Sequence, residues 1–299
     1  MSLARFIAAQ RAGYGIPHAV SCRALGRSQA WFYKWRDGDC SARRARRAEL
    51  AAAVKRVFYQ SKCRYGSPRV TAQLRREGRR VSENTVAALM REQHLVARRR
   101  RRWRSITQRD RQARKAADLV NREFTPPPAK PNVTWCGDVK QVATAEGTLY
   151  LAHVLDLHSR RVVGFALSEH HDVELTRAAL CMAVAVRGGD VAGVIMHTDQ
   201  GGEYTGALFA AACTRLRIRQ SMGTVADALD NAVSESWHSS IEFELMTDHE
   251  PFPTKAEARC AVAEYIEWYN ADRLHSTIAM TSPIDHELAQ QTRTRGEAA

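Results

Sequence analysis

The sequence predicts two architectures in one chain: short all-α units of helix–turn–helix form, then an α/β domain built on a mixed sheet. Three observations predict this. Residues 1–100 carry short helical periodicities broken by Gly and Pro, and residues after 134 alternate strand-like with helix-like stretches. The charge also changes sign between the two parts. Residues 1–130 hold 32 Lys and Arg against 9 Asp and Glu, a net of +23; the remaining 13 and 23 leave −10 for residues 131–299. At 299 residues and 44% hydrophobic, the chain is long enough for two domains and too apolar for wholesale disorder. The charge split excludes a uniformly basic packaging protein and suggests a nucleic-acid-binding part joined to an acidic one.

The elements follow in order. Leu3 to Arg11 reads as a helix, broken by Gly13 to Gly15. His18 to Leu25, a turn at Gly26-Arg27 and Ser28 to Trp35 then form a helix–turn–helix pattern with Ser28 as N-cap. Arg27, Lys34 and Arg36 are its candidate contacts to phosphates or bases, while Trp31, Phe32 and Trp35 also suit the core of a three-helix unit. A second unit comprises Leu50 to Gln60, Val70 to Arg76 after the turn Tyr65 to Pro68, and Glu83 to His94 behind the cap Ser82. In the later part, Trp135 to Val142, Leu149 to Leu155 and Arg161 to Leu167 read as three consecutive strands. Then come a helix (Glu174 to Val186), a strand (Val191 to His197), a helix (Ala207 to Leu216), a strand (Ile218 to Ser221) and a helix (Asn231 to Met246).

Two stretches read as linkers. Residues 37–48 carry Asp-Gly-Asp and then Arg43, Arg44, Arg46 and Arg47, and Thr125-Pro126-Pro127-Pro128 with Pro131 is stiff and extended. Between them Arg98, Arg99, Arg100, Arg101 and Arg102, with Trp103 and Arg104, form the densest basic run. Idle arginines at that density repel one another, so contact with several phosphates is the expectation. The domains expected are 1–48, 49–125 with the basic run, 126–290 as the α/β domain, and a tail at 291–299.

The seven cysteines are odd in number and include no C-x-x-C pair, so neither a disulfide framework nor a zinc ribbon is expected. Met1 to Gln10 lacks a signal-peptide apolar run, and Ala178 to Val186 is about half a membrane span. A cytoplasmic protein without membrane contact is expected.

The chemistry rests on three acidic residues. Asp138 lies within the first strand, Asp199 at the carboxyl end of the fourth, where open sheets hold ligands, and Glu235 near the start of the last long helix. Sixty residues separate the first two and 35 the second two. Carboxylates gathered together repel one another unless they hold hard cations. Oxygen-only ligation suits Mg²⁺ or Mn²⁺, and two such ions serve phosphodiester chemistry.

Six blocks carry a resemblance. His197-Thr198-Asp199-Gln200-Gly201-Gly202-Glu203-Tyr204 resembles the H-[ST]-D-x-G-x-x-Y motif of insertion-sequence transposases of the second-reading-frame type, relatives of retroviral integrases. Asp230 to Trp237 is similar to their D-N-A-x-x-E-S-[FW] block, Trp135 to Asp138 to their W-x-x-D strand, and Asp156 to Gly164 to their D-x-x-S-R-x-x-[VI]-G hairpin. Tyr269-Asn270, Arg273, His275 and Pro283 resemble the Y-N-x-x-R-x-H block with its later proline. Tyr65 to Arg69, with Val81-Ser82, resembles the family's second helix–turn–helix. The resemblance implies a ribonuclease H-like core with Asp138, Asp199 and Glu235 as the catalytic, metal-holding triad and two Mg²⁺ (or Mn²⁺) ions. It also implies DNA contacts at Arg69, Asn231 and Arg273, recognition of terminal inverted repeats and target DNA, and oligomers in the active complex. An upstream-frame product or fusion is a further implied partner.

Two positions depart from the family pattern. Lys140 stands two residues after Asp138, where Thr is usual, and Glu242 stands seven after Glu235, where Lys or Arg is usual. Lys140 shares a strand face with Asp138, so its cation is a candidate DNA contact. Glu242 lies on the helix face of Glu235, roughly 10 Å along, where a negative charge repels DNA. His197 reads as a packing or orienting residue. A DNA-binding regulator that occupies the repeats without cutting, and a hydrolytic nuclease of the same fold, are the alternatives.

Overall fold

The computed structural model describes residues 3–36, 42–98, 116–120, 128–223, 232–248 and 251–297. The chain divides into two compact units, Met1–Arg98 and Arg99–Ala299. Residues 116–120 lie in the second: the Leu119 amide donates to Ser221 Oγ (2.9 Å) and Val120 is buried. The expected boundary near residue 125 therefore falls inside it.

The first unit is all helix. Helices α1 (Leu3–Tyr14), α2 (His18–Ala24) and α3 (Gln29–Arg36) pack around Ala4, Ile7, Cys22 and Phe32. Ser28 caps α3 by accepting from the Trp31 amide at 3.1 Å. Of the three aromatic residues expected in the core, only Phe32 is buried; Trp31 and Trp35 face outward. Helix α4 begins at Ala42 and runs to Gln60, so part of the expected linker is helical. It packs with α5 (Ser67–Arg76), which carries Pro68 in its first turn, and α6 (Glu83–Glu92), capped by Ser82. The apolar periodicity singled out these helices correctly; their first turns extend it because Arg and Ser impose no break.

In the second unit, strands β1 (Thr134–Thr144), β2 (Gly147–Asp156) and β3 (Val162–Ser168) form an antiparallel meander. Helix α7 (Val173–Val186) crosses to β4 (Ile195–Thr198), parallel to β1. Helices α8 (Gly202–Thr205) and α9 (Ala207–Arg215) then lead to β5 (Arg219–Met222), parallel to β4. The sheet order is β3-β2-β1-β4-β5. Helices α10 (Ala232–Glu244), α11 (Lys255–Ala271) and α12 (Pro283–Glu297) follow. No tail separates at 290, since α12 continues through it.

Strand β2 shows why the sheet sits between two helical layers. Leu149, Leu151 and Leu155 pack on one face with Trp237, Ile241, Tyr265 and Ile266 of α10 and α11. Ala152 and Val154 pack on the other with Leu180, Ala183, Phe209 and Cys213 of α7 and α9. Each buried Leu contributes roughly 1.5–3 kcal/mol. At Gly164 a side-chain carbon would meet the Ala179 carbonyl and the Ala183 amide, so only glycine lets α7 lie this close to β3.

The family-like hairpin earns its residues structurally. Asp156, fully buried, accepts from the amides of Asn132 (2.8 Å), His158 (2.9 Å) and Ser159 (3.1 Å) and so closes the β2–β3 turn. Arg160 there adopts a positive φ of 63°. Glu287 of α12 accepts from Arg161 (2.8 Å) and Arg187 (2.5 Å), tying the last helix to this hairpin. Asn270 of α11 both accepts from the Val162 amide and donates to its carbonyl, each at 2.9 Å.

Candidate active site

The parallel pairing of β1 with β4 sets Cys136 opposite His197. Two residues beyond that pair lie Asp138, within β1, and Asp199, just past the carboxyl end of β4, near enough for the Asp199 charge to act on Asp138. There β1 and β4 stop pairing, which leaves room for a ligand. The Asp138 carboxylate accepts from the next amide, Val139, at 2.8 Å; that of Asp199 accepts from the Gly201 amide at 3.0 Å. Each side chain is thus held by its own loop before any partner arrives.

The two carboxylates oppose each other's charge. Burial, and then the Asp199 charge, push the Asp138 pKa up to about 8. Asp199 is raised as well, first by burial and then by Glu203, although its side chain still reaches solvent. Tyr204, fully buried beside both, closes the floor, and Gly137 leaves space for the Met196 side chain and the Tyr204 hydroxyl beneath the strand.

Glu235 stands exposed in the first turn of α10. Its charge adds to the rise at Asp138, and its own pKa is raised by burial. Among the described residues no three His, Cys, Asp or Glu side chains converge closely enough to hold a metal together. The structure therefore brings Asp138 and Asp199 together and leaves Glu235 within electrostatic reach of them. Asn231 lies outside the described residues.

Three neighbours escaped the sequence reading. Glu203 sits in the cleft, its carboxylate folded over Gly201 and bound to His171 Nε2 at 2.9 Å, while the His171 ring stacks on Tyr150. Its place four residues after Asp199, in the family-like block, was the available signal. His238 Nδ1 lies 3.6 Å from the other Asp138 oxygen, and His153, opposite Asp138 in the β1–β2 register, stacks on Trp237. Burial drives the His153 pKa down to about 3 and that of His238 well below its ordinary value, so both rings are neutral. No spacing rule links residues 138, 153 and 238, so only the fold joins them. His197 is interior, its Nδ1 3.0 Å from Ser221 Oγ, binding β4 to β5 as a packing residue.

The candidate DNA contacts divide. Arg27 and Lys34 are exposed at α3, Arg27 lying over the Trp31 ring, and Arg36 ends that helix. Arg69 lies half-buried over the Tyr65 ring. The Arg98 amide donates to the Cys63 carbonyl, and Arg99, Arg100, Arg101 and Arg102 lie outside the described residues. Arg273 is a correction. It is 5% exposed, rests on the Tyr269 ring, and gives its guanidinium to Glu244 at 2.7 and 2.8 Å. A buried carboxylate on α10 takes it, because leaving either charge unpaired in the core would cost several kcal/mol. It is not a DNA contact. Lys140 meets Glu242, at 2.9 Å.

A mixed five-stranded sheet of this order with carboxylates at its open end, behind a basic helical unit, defines a ribonuclease H-like polynucleotidyl transferase of the integrase-core class. Models of known families agree. "Integrase core domain" matches residues 128–228, a second "Integrase core domain" matches 216–283, and "HTH-like domain" matches 45–103. The chain is 35% identical over 285 residues to the transposase InsF for insertion sequence IS3A of Escherichia coli (strain K12), covering 94% of this chain and 97% of that one. It is 33% identical over 248 residues to the transposase for insertion sequence element IS904 of Lactococcus lactis subsp. lactis (strain IL1403), covering 83% and 96%. Among solved structures, the magnesium complex of the HTLV-2 integrase catalytic core domain is similar at a TM-score of 0.42 and 17% identity, over 53% of this chain and 98% of that one. The chain belongs to the insertion-sequence transposase family. It is a DNA transposase with a DDE-type catalytic core.

Proposed function

We propose that Asp138, Asp199 and Glu235 are the catalytic carboxylates, and that this transposase uses them to nick its element's ends and join them to target DNA. The observation that carries this reading is that Asp138 and Asp199 share one half-buried cleft, where burial first and the Asp199 charge second raise the Asp138 pKa to about 8. Such a pair is costly by itself and is relieved by a hard cation. The donors are oxygen only, which fits two Mg²⁺ or Mn²⁺ ions held by Asp138 and Asp199, with Glu235 closing from α10. When bound, the ions supply charge neutralisation and Lewis acidity at the phosphodiester.

The chain's own groups do the rest. The Val139 and Gly201 amides fix the two carboxylates, and buried Tyr204 keeps water from beneath them. In the first step a water oxygen bonds to phosphorus, the bond to the 3′-oxygen breaks, and that oxygen leaves as a hydroxyl after taking a proton. In the second step the freed 3′-hydroxyl oxygen bonds to a target phosphorus, the bond from that phosphorus to its own 3′-oxygen breaks, and the attacking group's proton is balanced by one taken up on the leaving oxygen. Exposed α3, with Arg27, Lys34 and Arg36, reads the terminal inverted repeats, and Arg69 with Arg98 to Arg102 holds phosphates. Two ends must be held at once, so the active complex is a homo-oligomer, with an upstream-frame product or fusion as a further partner.

The test is Mg²⁺-dependent end cleavage and joining by the full chain. Asp199→Asn and Glu235→Gln are expected to lower both by about a thousandfold, the worth of several kcal/mol of transition-state stabilisation, while DNA binding in EDTA persists. Cleavage that survives either substitution overturns the assignment.

A further inference from the structure

The two departures from the family pattern, 102 residues apart in the chain, are in contact: Lys140 Nζ donates to Glu242 Oε2 at 2.9 Å. Lys140 points from the β1 face that presents Asp138, two residues and roughly 7 Å along the strand. Glu242 lies seven residues after Glu235 and four after His238, so all three share a stripe of α10. His238 approaches Asp138, and the Lys140 charge helps hold that imidazole neutral. Two polar pairs, Asp138 with His238 and Lys140 with Glu242, are thus in electrostatic reach of each other.

The pair has little value as a stabiliser. The Glu242 side chain is 50% exposed, and exposed ion pairs contribute about 0–1 kcal/mol. A cleft of about 160 Å³ opens beside it, walled by Lys140, Gln141, Thr148 and Glu242 over Met246 and Phe252. An incoming group can thus reach the ammonium without displacing α10. The ammonium is mostly covered, at 19% side-chain exposure, and its carboxylate partner fixes its direction. An unpaired Glu242 at this place would repel a polyanion; paired, it is neutralised and serves as an anchor.

Resting on the transposase reading of the site, we propose that Lys140 holds a DNA phosphate next to the scissile one, and that Glu242 is its positioning residue, aiming the ammonium along the cleft. The two substitutions then form one coupled unit. Glu242→Lys alone would set two ammonium groups against each other and is expected to lower activity.

The experiment uses the full transposase in Mg²⁺ with a duplex ending in the inverted repeat that flanks its gene. Joined product is measured alongside the salt dependence of duplex binding. Lys140→Gln is expected to lower joining at least tenfold and to reduce the slope of log K against log salt by about one. Glu242→Gln, which keeps an acceptor oxygen, should retain most of the activity, whereas Glu242→Ala should lose about tenfold with the slope unchanged. The exchange Lys140→Glu with Glu242→Lys should stay inactive, because the cation has moved to the helix. Full activity in that exchange would show a structural clasp and overturn the proposal. A rise in activity for Glu242→Ala would show that Glu242 competes with DNA, and would overturn it as well. Asp199→Asn in parallel separates the two readings: if it retains activity, the reading of the site itself has failed, whatever Lys140 does.

Discussion

Glu242 and Glu244 lie two residues apart near the end of α10, and each holds a basic residue from another element. Glu244 faces inward, takes Arg273 at 2.7 Å and accepts from the Tyr265 hydroxyl at 2.9 Å, all under cover. Glu242 faces outward and takes Lys140 beside the carboxylate cleft. The chemistry is similar, but the surroundings differ. In the core each charge depends on its partner, because water is not there to replace it; at the surface water replaces either partner at little cost. The inner pair thus belongs to the fold, and the outer pair contributes little to it.

The largest effect that would sharpen this contrast is at Arg273. Arg273→Ala leaves the Glu244 carboxylate buried and unpaired, and should cost about 3–5 kcal/mol in urea unfolding. Replacing both partners by Met should recover much of that; if the single substitution costs under about 1 kcal/mol, the inner pair is no different from the outer one.

Next comes the pH dependence of the metal-free protein. The folded-state pKa of Asp138 is raised to about 8 from 3.8, so the folded state binds its proton more tightly than the unfolded state does. That stabilisation is complete below about pH 4 and is lost as pH rises through 8. The thermal midpoint in EDTA should therefore fall between pH 6 and 8, with Asp138→Asn flattening the fall and Mg²⁺ opposing it. A midpoint equally steep in Asp138→Asn would move the cause elsewhere.

Gly164→Ala forces a side-chain carbon into the α7 backbone. A loss of about 1–3 kcal/mol is expected, read as a lower denaturant midpoint with an unchanged slope. The smallest effect belongs to the outer pair: Lys140→Gln should change unfolding free energy by less than about 1 kcal/mol while still lowering joined product.

Much of this was legible in the sequence. Strand alternation, helical periodicity and the caps Ser28 and Ser82 are local properties, and they placed most of the elements within a few residues. Two starts missed by more: β4 begins only at Ile195, not Val191, and α4 begins already at Ala42, not Leu50. Helices α11 and α12 were not anticipated; α11 interleaves Glu257, Arg259, Glu264 and Glu267 with its apolar residues and gives a weak pattern until Val262, Ile266 and Tyr269 are seen against the sheet. At the site, Asp138 and Asp199 were legible because a strand and a strand end specify where their side chains go. Glu203, His238 and His153 were not, because each reaches the cleft from a different element.

The sequence by itself determined most of the order of helices and strands as far as α10, the opposed charges of the two parts and the acidic residues available for chemistry. These depend on residue type and short-range spacing. The tertiary structure alone decided which charges meet. It sent Arg273 inward to Glu244, turned Lys140 to Glu242 and brought Asp199 to Asp138. Electrostatic partnership depends on distance and on the exclusion of water, and both are set only when segments far apart in the chain are packed together.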